Sequence, residues 1–191
     1  MIGVDISDGS IKIVQLSNDE GHSLLAHCWH RVPAGAIERG IIKERNVVRK
    51  VMEETLGMCQ LKPDTKDAVV ASIPESQSFL RVLEVPEMSN EEVGEAIQWE
   101  VAQHIPFGLE NVYIDWQPVA GGHKLSKGRR EVLVGAAQKQ VVDPLISLLD
   151  DLGLDVAALE LESQAIVRAL ISAELRRQKG LLVVDLGGAV T

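Results

Sequence analysis

Two short stretches, one near each end of the chain, carry the residue types that phosphate and magnesium chemistry needs. Ile2-Gly3-Val4-Asp5-Ile6-Ser7-Asp8-Gly9 and Leu182-Val183-Val184-Asp185-Leu186-Gly187-Gly188-Ala189 share an apolar run, an aspartate, an apolar residue and then small residues. An aspartate closing a buried strand beside a tight turn can orient a hydrated magnesium ion, while the turn amides approach phosphate oxygens. Asp5 and Asp185 are therefore the candidate magnesium holders, acting through water. The turns Ser7-Asp8-Gly9-Ser10 and Gly187-Gly188 are the candidate phosphate cradles. Either stretch alone is also an ordinary turn signal after a strand. As a pair they point to a clamp on a triphosphate.

The other eye-catching residues point less clearly to chemistry. On one strand, alternation sends His22, Cys28 and His30 to one face and His27 to the other, which does not gather four metal ligands. Cys28 and Cys59 have no CxxC or Cys/His spacing, so neither a zinc site nor a disulfide framework is suggested, and a reducing compartment fits. Trp99, Tyr113 and Trp116 read as packing residues, although Trp99, on the polar side of its helix, also suits an interface. Arg176-Arg177-Gln178-Lys179 reads as a helix C-terminus, where cations are favoured.

Those residues are positioned by a chain of 191 residues, 46% hydrophobic and 25% charged, which is enough for one large domain or two small ones with real cores. A net charge of -9, from 28 acidic against 19 basic side chains, argues against nucleic-acid or anionic-lipid binding through bulk electrostatics. Aromatic residues make up only 3%, which removes a base-stacking surface. No stretch approaches the roughly 18 apolar residues of a membrane helix, and Met1-Ile2-Gly3-Val4-Asp5 is no signal region, so a membrane link has to run through a partner.

Periodicity places the elements. Strands are predicted at 2–6, about 11–17 and about 22–32, then a helix capped by Asn46 and ending at Gly57, then strands over 67–73 and 79–85. Ser89-Asn90-Glu91-Glu92 is a capping box opening a helix to about His104, stopped by Pro106. Strands near 111–119 and 131–138 flank a mobile glycine-rich loop at 121–128. Asp143-Pro144 reads as a cap and first helical residue, with Leu145, Leu148, Leu149 and Leu152 as the apolar stripe and Gly153 closing it. A strand near 155–161, a helix capped by Ser163 and running to about Arg177, and a buried strand at Leu181–Asp185 complete the chain. The fold class is α/β, a layered lobe (1–86, resuming at 158–180) interrupted by a small α+β subdomain at 87–157, with 181–191 opening a second lobe.

The stretch Asp5 to Lys12 resembles the first phosphate loop of the actin, Hsp70 and sugar-kinase superfamily, an actin-like (ribonuclease H-like) fold. There an aspartate, a glycine, a hydroxyl residue and a lysine seven after the aspartate contact phosphates. Gly9 and Lys12 fit that spacing; Ser7 replaces the usual glycine and Asp8 sits where the family has serine or threonine, and an added carboxylate near phosphate costs electrostatic energy unless metal offsets it. Val82-Leu83-Glu84-Val85-Pro86-Glu87-Met88-Ser89-Asn90-Glu91-Glu92, Ala96-Ile97-Gln98-Trp99-Glu100, His104-Ile105-Pro106-Phe107 and Val112-Tyr113-Ile114-Asp115-Trp116 narrow the resemblance to the PilM family of type IV pilus assembly proteins, relatives of FtsA. The resemblance covers essentially the whole chain and the front half of the family's length.

It implies a cytoplasmic scaffold that binds ATP with Mg2+, is at most a slow ATPase, and docks the N-terminal tail of a PilN-like inner-membrane protein in a groove between lobe and insertion. Self-association is also compatible, while nucleic acid and direct membrane insertion are not implied. By the same resemblance Gln164, with Glu162 next, is the candidate for positioning an attacking water; a plain surface position in the first helical turn is the alternative. An FtsA-like cell-division scaffold, a GspL-like type II secretion scaffold, an active phosphotransferase and a pure interaction module are the rival readings.

Overall fold

The computed structural model describes residues 1–19, 21–61, 68–105, 108–119, 128–172, 174–175 and 180–185. The expected stop at Pro106, the glycine-rich loop at 121–127, the basic run 176–179 and the turn residues Gly187 and Gly188 lie outside the described residues.

The chain divides into two compact units, 1–77 with 141–191, and 78–140. In the first, β1 (Ile2–Ile6), β2 (Ser10–Leu16) and β3 (Leu24–Arg31) form the predicted meander. A two-residue hairpin of β4 (Ile37–Glu38) and β5 (Ile41–Ile42) leads into α1 (Arg45–Met58) and β6 (Val69–Ile73). After the second unit, α3 (Lys139–Asp151), β10 (Val156–Leu161) and α4 (Glu162–Leu170) return. The sheet runs β10-β6-β1-β2-β3, with β10, β6 and β1 parallel and the rest antiparallel. Alternation buries Ile2, Val4 and Ile6 of β1 and Ile11 and Ile13 of β2 against Val48, Val51 and Met52 of α1 and Leu145, Leu148 and Leu149 of α3. That leaves Asp5 and Lys12 on the other face.

In the second unit, β7 (Ser78–Pro86), β9 (Arg129–Gln138) and β8 (Val112–Pro118) make an antiparallel sheet in the order β7-β9-β8. α2 (Asn90–His104) places Val93, Ile97 and Val101 on Leu83, Val85, Val132 and Val134. The capping box forms as read: Ser89 Oγ accepts from the Glu92 amide and the Glu92 carboxylate from the Ser89 amide. Trp99 stands 77% exposed on the outer side of α2.

Several expectations give way to packing. The inserted unit occupies 78–140 rather than 87–157, because β7 pairs along its whole length with β9 and the leucine stripe of α3 belongs to the first core. Helix α3 starts at Lys139, directly off β9, so Pro144 sits inside it and not at its first position. Asn46 is not the cap of α1: the amides of Lys43 and Glu44 both donate to the Ala36 carbonyl, and that turn starts the helix at Arg45. Ser163 is not the cap of α4, since β10 stays paired with β6 up to Leu161 and the helix begins at once. Leu181–Asp185 forms no strand; among the described residues no strand pairs with it, and Leu182 is 89% exposed. The cysteines are not separate: the packing of α1 beside β3 brings Cys28 and Cys59 to a Cα separation of 5.7 Å as a disulfide. His22 lies in a turn, not on the strand face with Cys28 and His30, and among the described residues no cluster can hold a metal directly.

Candidate functional site

Because β1, β6 and β10 run parallel, their C-terminal ends meet at one edge of the sheet, the edge at which open α/β sheets bind ligands. Asp5 comes from β1, Ser72 from β6, and Glu162 follows β10 directly. The Ser72 hydroxyl donates to Asp5 Oδ1 at 2.7 Å, and Lys12, opposite Asp5 in the β1–β2 register, donates to Asp5 Oδ2 at 2.7 Å. Both oxygens of Asp5 are thus oriented. The Lys12–Asp5 pair is solvent-exposed, so it is worth only about 0–1 kcal/mol; Lys12 can exchange this partner for a phosphate at little cost.

The β1–β2 connection is a tight hairpin. The Ser7 amide donates to the Ser10 carbonyl at 2.9 Å, and the Ser7 hydroxyl reaches the same carbonyl at 3.0 Å. Asp8 and Gly9 form its tip, and among the described residues their amides have no backbone acceptor. Gly9 contributes its carbonyl to the Val32 amide. Asp8 turns its carboxylate to the β4–β5 hairpin, accepting from the Arg39 and Gly40 amides at 2.8 Å each.

Glu162 opens α4, half-buried, with its carboxylate accepting from the Glu75 amide at 3.3 Å. Burial pushes its carboxyl above the ordinary range. The Glu75 amide opposes that push, and the Asp5, Asp185 and Glu75 carboxylates add to it. Asp185 therefore lies within electrostatic reach of the same edge, although it stands on no strand. Gln164 is half-buried in the first turn of α4, and the Ser163 hydroxyl is buried without a hydrogen-bond partner among the described residues.

The structure thus joins Asp5 to Lys12 and Ser72 by hydrogen bonds, with Glu162 and Asp185 linked to this edge only electrostatically, while the Asp8 carboxylate turns to the β4–β5 hairpin. An oriented carboxylate, an exposed lysine beside it and turn amides free of backbone acceptors are groups of the kind that a hydrated magnesium ion and phosphates use. Ser72, Arg39 and Gly40 escaped the sequence reading. A hydroxyl at the end of the apolar strand Val69-Val70-Ala71-Ser72-Ile73 was the available signal for the first. Arg-Gly between Ile37-Glu38 and Ile41-Ile42 was the hairpin signal for the other two.

A family model described as type IV pilus assembly protein PilM matches residues 3–191. Among solved structures, a PilM–PilN type IV pilus biogenesis complex is similar at a TM-score of 0.78 and 26% identity, over 88% of this chain and 49% of that one. The cytoplasmic domain of EpsL, an inner membrane component of the type II secretion system of Vibrio cholerae, is similar at a TM-score of 0.55 and 16% identity, over 83% of this chain and 56% of that one. The chain spans about half the length of the solved proteins it matches. The first unit has the actin-like architecture that the sequence led us to expect.

Proposed function

This chain belongs to the PilM family of type IV pilus assembly proteins, and from that premise we propose that it is the ATP-binding front half of a pilus assembly scaffold that docks the N-terminal tail of a PilN-like inner-membrane protein. The similarity to a PilM solved together with PilN, at 26% identity over most of this chain, is the observation that carries the reading. No described helix is long and apolar enough to cross a membrane.

In this reading Asp5 and Asp185 would hold magnesium through water. Ser7, Gly9 and Ser10 present the phosphate turn, Lys12 leaves Asp5 for a phosphate oxygen, and Gly187 and Gly188 supply the second cradle. Ser72 keeps Asp5 oriented while Lys12 moves. Gln164, with Glu162 next, is the hydrolytic candidate; both stand half-buried in the first turn of α4. Nucleotide serves chiefly as a conformational ligand that changes partner affinity, with hydrolysis slow.

The test is a titration of the full-length protein with a synthetic N-terminal peptide of its PilN-like partner, with and without magnesium-ATP. Saturable micromolar binding, shifted by nucleotide, is the expected result. ATP turnover without peptide binding would move the assignment to an enzyme of the superfamily. Binding instead to a type II secretion partner would move it to the EpsL-like reading.

A further inference from the structure

The tip of the β4–β5 hairpin is a preformed two-amide receptor, and the chain fills it with its own carboxylate. Arg39 and Gly40 both have left-handed backbones, φ 51° and 75°, which is the geometry of a two-residue turn between twisted strands. The hairpin tip is closely backed. A Cβ at Gly40 would collide with Pro74, so the tip rests directly on Pro74, the residue that follows β6. Their consecutive amides point at one spot, where Oδ2 and Oδ1 of Asp8 each accept at 2.8 Å. Arg39 and Lys43 line an open depression of about 520 Å³ beside it, together with Asp8, Glu38 and Ile41. Two converging amides with cations close by are the donor set of an oxyanion site.

We propose that Asp8 is an internal anion occupying a receptor for a phosphate-class anion, and that it latches the β1–β2 turn to the β4–β5 hairpin and restrains the turn from taking phosphate. A phosphate at the Asp8 and Gly9 amides arrives beside this carboxylate, and like charges at that range repel. Either Asp8 leaves the hairpin, which frees the Arg39 and Gly40 amides, or phosphate binds weakly. Restraint of phosphate rests on the nucleotide reading above; the latch does not.

Two measurements on the full-length protein separate these parts. Residue-resolved amide exchange in wild type, Asp8→Asn and Asp8→Ser tests the latch. The Arg39 and Gly40 amides should exchange faster by about tenfold or more in Asp8→Ser, and by less in Asp8→Asn, which keeps one acceptor. Val48 and Met52 in α1 should stay unchanged, showing that the fold is intact. Equal exchange at 39 and 40 in all three proteins overturns the latch. Titration with magnesium pyrophosphate tests the restraint: Asp8→Ser should bind on the order of tenfold more tightly than wild type, and equal or weaker binding overturns it. A parallel titration of Lys12→Ala reports on the nucleotide reading alone. If Lys12→Ala matches wild type, that reading fails, while the exchange result still decides the latch.

Discussion

The two sheets are built from the same alternation of apolar and polar residues, yet only one gathers chemistry. In the first unit three parallel strands end at one edge, so residues far apart in sequence, Asp5, Ser72 and Glu162, meet there. In the second unit every pairing is antiparallel, and neighbouring strand ends point in opposite directions. Its polar groups settle into local pairs instead. Arg129 reaches Glu84 at 3.4 Å, offsetting the direct opposition of Glu84 and Glu131 across β7 and β9. Arg130 lies over Trp116 at 5.8 Å and Lys139 over Tyr113 at 5.3 Å. Parallel topology makes a site out of strand ends, whereas the antiparallel sheet leaves its charges in local pairs.

The contrast can be broken first where the expected effect is greatest. If α3 belongs to the core of the first unit, Leu148→Ala, at a fully buried position, should cost about 3 kcal/mol in denaturant unfolding; a loss below about 1 kcal/mol would return the helix to the inserted unit. The same comparison holds for glycines. Gly40→Ala forces a Cβ into Pro74 at a left-handed backbone and should cost about 2 kcal/mol or more. Gly94→Ala, inside α2 with open space around it, should gain about 0.5–1 kcal/mol. If both variants shift stability alike, the hairpin is not the constrained element described here. Ser89→Ala removes the cap of α2 and should cost about 1 kcal/mol.

Glu162→Gln is the smallest effect and reads the burial of a carboxyl at the parallel edge. The folded-state pKa of Glu162 is raised, so protonated Glu162 favours the folded protein. That contribution is complete below the unfolded carboxylate pKa and is lost as pH rises through the folded value. Glu162→Gln should therefore raise the Tm by on the order of 2 °C at pH 7 and leave it unchanged near pH 4. A pH-independent shift would mean that burial does not hold the Glu162 carboxyl above its ordinary range in the folded protein.

Much of the fold was legible because it is local. The strand alternation of β1 and β2, the capping box at Ser89 and the apolar face of α2 are all set by residues within a few positions of one another. The site was half legible. Asp5 and Lys12 face each other because one turn separates them, whereas Ser72 reaches Asp5 across 67 positions and Asp8 meets Arg39 across 31. No local pattern reports such contacts. Helix starts failed where a strand feeds straight into a helix, at Lys139 and Glu162, because ladder pairing up to the last strand residue overrides the side-chain caps at Asp143 and Ser163. The Cys28–Cys59 pairing was hidden for the same reason, since only the packing of α1 beside β3 brings the two together.

That the parallel-strand edge is a nucleotide site is tested most directly by calorimetric titration of the full-length protein with magnesium-ATP, in wild type and in Lys12→Ala and Asp5→Asn. Saturable binding is expected in wild type, weakened about tenfold or more by Lys12→Ala and made insensitive to magnesium by Asp5→Asn. Binding that is unchanged in both variants, or absent from the wild-type protein, would contradict it.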